Sequence, residues 1–328
     1  MTCDMNYNED QRQILDAANA LLNTSYPLSR LQEEKPDDLT ALAEFGAFAL
    51  ALPEERGGTG FTIVEEALVH GLLGRHLISS RALANPIAAR LAARLGRHEI
   101  AEQVAAGTLS VCAAVPADDS LLLIDGAKAT LGVVFGGRQV ILIALEELPR
   151  EGVPGLGHSV VLSRVRGPLS MIGECTDSSL LDTSDLLVTA QLLGIAEASR
   201  DMAVSYAKVR EQFGRSIGSF QAIKHHCANM SVDAEALSAL LDMAAIAVRD
   251  ERGDAAFQVA ALRLLAPRVA FANVRTCIQI HGGIGFSAEA DAHHYLKQVH
   301  VLRQLLSGNT MLDLPAPLAP YTSINERN

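Results

Sequence analysis

Apolar residues recur at helical spacing from about Asp10 to Ala106, broken once by the glycine- and proline-rich stretch Pro53-Glu-Glu-Arg-Gly-Gly-Thr-Gly60. That period predicts an all-helical first domain over 1–108. The texture changes at Gly107. Ser110–Val115, Leu121–Ile124, Val133–Phe135, Gln139–Ala144 and Ser159–Leu162 are short, often β-branched runs separated by Asp, Gly and Pro turns, and they predict a small β domain over 109–183. The helical period then returns: Leu186, Ala190, Leu193, Ala196 and Ala203 share one face of a helix running towards Arg210, with Ser184 or Asp185 as its cap. Three more helices are expected over about Phe220–Arg249, Ala255–Ile280 and Glu289–Leu306, so 184–315 reads as a bundle of four long antiparallel helices. The expected fold class is mainly α with a small β domain. Residues 316–328, rich in prolines and polar side chains, read as an extended or mobile tail.

Composition bears on class and setting. A chain of 328 residues with 49% hydrophobic content is large enough for two or three packed substructures. No run of about 18 uncharged apolar residues occurs and the start, Met1 to Asp10, is polar and acidic, so neither a membrane span nor a secretory signal is expected and the cytoplasm is the default location. Cys3, Cys112, Cys175, Cys227 and Cys277 are scattered, never in Cys-x-x-Cys spacing, and read as buried free thiols rather than a disulfide framework or zinc site. A net charge of -11 speaks against nucleic acid as a partner, while leaving room for local cations to meet an anionic cofactor. His293 and His294 are adjacent and neither stands four residues from His300, so no metal site is expected. His225 and His226, after Lys224, suit either a phosphate contact or a solvated or interface face; Tyr206 and Phe220 are expected in the core.

Three segments carry more than pattern. Phe45 to Gly58 runs from a helix into Pro53-Glu-Glu-Arg-Gly-Gly58. Arg210, Phe213, Gly214, Ile217 and Gln221 form an Arg-x-x-Phe-Gly-x-x-Ile-x-x-x-Gln pattern, and Gln279-Ile-His-Gly-Gly-Ile-Gly285 follows much later, continuing as Phe286-Ser-Ala-Glu-Ala-Asp291. Together, and in the order helices, strands, bundle, they resemble the acyl-CoA dehydrogenase family over most of the chain. The resemblance implies FAD as cofactor, an acyl-CoA substrate, an electron-transfer flavoprotein as acceptor, and an oligomer. By the same resemblance, Arg210 neutralises the flavin pyrophosphate, Phe213 packs on the dinucleotide and Gln221 hydrogen-bonds its adenosine side. Gln279, Gly282, Gly283 and Gly285 belong to the loop that reaches a pyrophosphate held largely by a neighbouring subunit, the glycines letting backbone amides approach it.

Family chemistry removes the α-proton of an acyl-CoA thioester with a buried carboxylate while the β-hydrogen leaves as hydride to the flavin. Here the residues depart from the pattern. One family position for the base holds Leu306-Ser-Gly308 and the other holds Ser184 and Asp185; neither is glutamate. Asp185 is the sole nearby catalytic candidate, and Glu289 reads as helix-start electrostatics. The flavin-ring loop of the family is replaced by Val115-Pro-Ala-Asp-Asp119, no Trp exists anywhere, and the β domain is shortened. This combination resembles the smaller, catalytically incomplete subunit of heteromeric α2β2 acyl-CoA dehydrogenases, including those acting on CoA thioesters of steroid side chains. A divergent homo-oligomer using Asp185 as base, and a non-catalytic scaffold or acyl-CoA-binding protein, are the alternatives.

Overall fold

The computed structural model describes residues 7–32, 37–146, 148–156 and 160–308, apart from the side chain of Arg56. Cys3, Ser159 and the tail 316–328 lie outside the described residues.

Helices come first: α1 (Glu9–Ser25), α2 (Thr40–Glu44), α3 (Ile63–Arg75), α4 (Arg81–Arg94) and α5 (His98–Ala105). Their ends are set locally. Asn8 and Gln11 close a capping box on α1, and Thr62 and Glu65 close one on α3. Helix α4 has no solvent stripe, because Leu83, Ile87, Leu91 and the alanines between them are buried on every side. It is the shared wall between the helical and β layers.

Among the described residues the sheet has seven strands in the order β5-β6-β2-β1-β3-β4-β7. These are β1 (Val111–Ala117), β2 (Ser120–Ile124), β3 (Leu131–Val134), β4 (Val140–Ala144), β5 (Arg150–Val153), β6 (Leu162–Val165) and β7 (Ser170–Cys175). Only β1 and β3 pair in parallel; the other pairs are antiparallel. The sequence pattern misses β5 and β7 and displaces β6. The physical reason is their place: β5 and β7 are the sheet edges, where most side chains stay partly or fully in water and the apolar alternation disappears.

Helix α6 (Ser178–Val209) corrects a second expectation. Its cap is Asp177, whose carboxylate accepts the Ser179 N–H at 2.9 Å, so Ser184 and Asp185 lie inside the helix and are buried. Gly71, Gly74 and Gly194 let α3 and α6 touch through their backbones: a methyl on Gly194 would stand 1.9 Å from the Gly71 carbonyl oxygen.

The bundle continues with α7 (Gln221–Arg249), α8 (Ala255–His281) and α9 (Ala292–Leu302). The last is shorter than its pattern suggests, and Glu289 falls before it rather than in its first turn. Helix α8 is long and apolar enough, by length and composition, to cross a membrane. Here its Leu262, Ala266, Ala270 and Val274 are fully buried in the largest core cluster, as suits the central helix of a bundle. Cys112 and Cys277 are buried free thiols, with Cys175 and Cys227 only partly covered.

Candidate functional site

The Arg210 and Gly282 segments meet at one end of the bundle. Tyr206, one turn before the end of α6, stacks on His281, the last residue of α8, with ring centroids 4.2 Å apart. Tyr206 is therefore half-buried, packed against the main core on one side and clasping the two segments on the other. His281 is steadied by its Nδ1, 2.8 Å from the Cys277 carbonyl.

Arg210 ends α6 in extended backbone, and its carbonyl accepts the Ile217 N–H at 2.8 Å, which closes the foot of a small hairpin. The hairpin strands are β8 (Glu211–Gln212) and β9 (Arg215–Ser216). The two turn residues, Phe213 and Gly214, both have positive φ, 54° and 76°. For phenylalanine that conformation costs on the order of 1–2 kcal/mol, yet its ring is 92% exposed. Neither the strain nor the exposure stabilises this chain. Phe220, expected in the core, is only half-buried, edge-on to Phe213 and 4.2 Å beneath the Arg215 guanidinium.

Charge gathers here against the sign of the whole chain. Lys208, Arg210, Arg215, Lys224, His225 and His226 are all exposed, and α7 starts at Gln221 with no side chain capping its amides. Among the described residues no carboxylate pairs with Arg210. The guanidinium and the helix start face solvent together, an arrangement suited to a diphosphate.

The three loop glycines have different reasons. Gly282 has φ 67° and ψ -140°, a backbone open to glycine alone. Gly285 is buried, and a methyl there would meet the Ile278 carbonyl oxygen at 2.6 Å. Gly283 is exposed with nothing within 4 Å of a built methyl. Its bareness is unexplained by the chain's own packing. Beside the loop opens a cavity of about 580 Å³ whose wall includes His226, Arg275, Thr276, Gln279, Phe286 and His300. Arg275, Thr276 and Gln279 share one face of α8 at spacings of three and four, a signal the sequence contained and that Gln279 alone did not exploit.

Asp185 stands elsewhere. It is 1% exposed, and its carboxylate accepts the Ser307 N–H at 2.8 Å, the Ser307 hydroxyl, and Arg263 at 3.5 Å. The structure thus brings the two chain positions Ser184–Asp185 and Leu306–Ser307 into contact, and fills the contact with hydrogen bonds. Burial pushes the Asp185 carboxyl up to about 6, with Ser307 and Arg263 pulling it back. Among the described residues Glu66 is also fully buried, and it is paired with Arg90.

Family models describing the acyl-CoA dehydrogenase N-terminal and C-terminal domains match residues 8–111 and 177–310. The acyl-CoA dehydrogenase IpdE2 of Mycobacterium tuberculosis is 33% identical over 269 residues, covering 80% of each chain. Acyl-CoA dehydrogenase FadE34 of the same organism is 33% identical over 294 residues, but the chain spans only 40% of its length. The Tcur3481-Tcur3483 steroid ACAD superposes with TM-score 0.77 at 22% identity, over 90% of this chain and 92% of that one. The ChsE4-ChsE5 complex from Mycobacterium tuberculosis gives 0.76 at 23%, over 92% and 94%. These likenesses show a mostly helical fold with an inserted sheet, shared with that family.

Proposed function

The chain belongs to the acyl-CoA dehydrogenase family of oxidoreductases, and from that premise we propose that it is the base-lacking, FAD-contacting subunit of a heteromeric acyl-CoA dehydrogenase. The observation that carries this reading is the contact between Asp185 and Ser307. Of the two places where a family base is expected, one holds Leu306, and the carboxylate at the other is sealed from solvent with its oxygens already bonded. A base must reach a substrate proton. Asp185 instead ties α6 to the chain after α9, which weighs against a self-sufficient enzyme that uses it.

The residues at the outer end of the bundle fit the dinucleotide's diphosphate half. Arg210 has no carboxylate partner among the described residues, Gly283 is exposed with open space where a side chain would stand, and Gln221 and Gln279 are exposed donors. When bound, FAD supplies the acceptor for the hydride that leaves the β-carbon of the acyl-CoA. This chain's part is to bind and orient: Arg210 balances diphosphate charge, Phe213 covers the dinucleotide, and Gln279, Gly282, Gly283 and Gly285 reach across a subunit boundary. A scaffold that bound no cofactor would need none of these, which weighs against the non-catalytic reading. The base and ring pocket belong to the partner subunit, with electrons passing to an electron-transfer flavoprotein. CoA thioesters of steroid side chains are the proposed substrates, a reading supported by the steroid ACAD among the structural neighbours.

The test is flavin content and acyl-CoA dehydrogenation of the chain purified alone and co-expressed with an acyl-CoA dehydrogenase encoded beside it. The expected result is a colourless, inert chain alone and a yellow, active complex. One flavin per chain with turnover in isolation overturns the reading.

A further inference from the structure

The rings of Tyr206 and His281, whose planes lie 21° apart, each belong to the stretch of chain that leads into one of the two segments at the outer end of the bundle. The Arg210 N–H donates to the Tyr206 carbonyl at 2.9 Å, so the backbone that aims Arg210 is bonded to the residue that stacks. On the other side His281 directly precedes Gly282. Its Nδ1 stands 2.8 Å from the Cys277 carbonyl oxygen, which can only accept, so Nδ1 carries the proton and the ring is held in one tautomer and one orientation.

Each segment also folds back against its own end of the pair. A methyl on Gly285 would stand 2.9 Å from the His281 Cβ, and one on Gly218 would stand 2.8 Å from the carbonyl oxygen of Ala207, the neighbour of Tyr206. The glycine loop is thus seated on His281, and the turn after the hairpin on α6 beside Tyr206. Tyr206 and Ile217 are partly buried against the main core, which anchors the pair from below. A diphosphate carries two charged groups at a set separation, so a site that reads it from two segments works only if those segments keep theirs.

We propose that Tyr206 and His281 are positioning residues: their stack sets the spacing between the Arg210 segment and the glycine loop, and through it the preference for the flavin dinucleotide over the mononucleotide, which has a single phosphate. This rests on the reading of this end of the bundle as a diphosphate site. Neither ring acts by touching the cofactor; each acts through the segment beside it.

The test is titration of the complex with its catalytic partner, stripped of flavin, with FAD and separately with FMN, followed by flavin fluorescence. Tyr206→Leu and His281→Leu are each expected to weaken FAD binding ten-fold or more and to leave FMN binding within two-fold. Tyr206→Phe, which keeps the ring, is expected to bind FAD within two-fold of wild type. The double leucine variant should lose no more than either single variant, because a stack broken once is not broken again. Should Tyr206→Leu fail to assemble, the same comparison is read from His281→Leu against His281→Phe. A loss with phenylalanine as large as with leucine, additive losses, equal weakening of FAD and FMN, or unchanged FAD binding overturns the proposal. Arg210→Ala is titrated beside them: if it weakens FAD binding and the leucine variants do not, the positioning role alone falls, and if it too leaves FAD binding unchanged, the diphosphate reading falls with it.

Discussion

Asp185 shows how much a residue's role depends on what reaches it. Along the chain it is a polar residue before an apolar helical run, the usual look of a cap. In the fold it is buried, and its partner Ser307 comes from 122 residues away. Its carboxyl, ordinarily near 3.8, is held at about 6, so the folded state takes up a proton more readily than the unfolded chain. The sign follows: this group favours folding at low pH, and that contribution fades as pH rises through about 6. The stability of wild type relative to Asp185→Asn, read from thermal melts, should therefore rise as pH falls from 7 to 5, by about 1 kcal/mol. A pH-independent difference would show that Asp185 titrates normally. Arg210 gives the opposite lesson, because its spacing to Phe213 and Gln221 could be read directly. Arg210→Ala should weaken flavin retention by the assembled complex about ten-fold or more, with Arg210→Lys recovering only part, since lysine lacks the planar fork. Unchanged flavin absorbance in the purified complex would remove Arg210 from the site.

At the scale of elements, glycines divide into those the fold needs and those it does not. Gly194 sits where α3 and α6 meet backbone to backbone, and Gly194→Ala is expected to cost about 2–3 kcal/mol, or to prevent folding, in a urea titration. Gly283 has open space around it. Gly283→Ala should change the chain's own stability by no more than about 0.5 kcal/mol while lowering flavin retention in the complex. If flavin retention is unaffected, the loop does not face the cofactor. The hairpin β8–β9 belongs with Gly283, as an element whose strained, exposed Phe213 makes sense through a contact outside the chain.

Across the whole molecule, the end of α3 and the short link after it join all three layers. The Arg75 side chain bridges to Glu197 and Asp201 on α6, its carbonyl accepts the Tyr295 hydroxyl from α9 at 2.8 Å, and nearby Ser79 donates to Asp125 at the end of β2. The two ion pairs of Arg75 are partly solvated, so Arg75→Ala is expected to cost only about 1 kcal/mol in global stability. It should nonetheless loosen the docking of α6 on the N-terminal helices, read as faster amide exchange at both. Unaltered exchange there would show that the apolar seam alone holds the layers together.

The order of helices, strands and bundle could be read from the sequence alone, because periods of 3.6 and 2 record which side chains a helix or strand must bury. The Arg210 and Gly282 segments could also be picked out from residue types at short spacing, and the fold brings them to one end of the bundle; their contact with a diphosphate is the proposal made above. The edge strands β5 and β7 were not, because edges stay wet and carry no apolar alternation. Nor was the pairing of Asp185 with Ser307, the clasp of Tyr206 on His281, or the separate reasons for Gly283 and Gly285. Each rests on groups far apart in the chain brought within hydrogen-bonding or van der Waals distance, and only tertiary packing decides which distant group arrives.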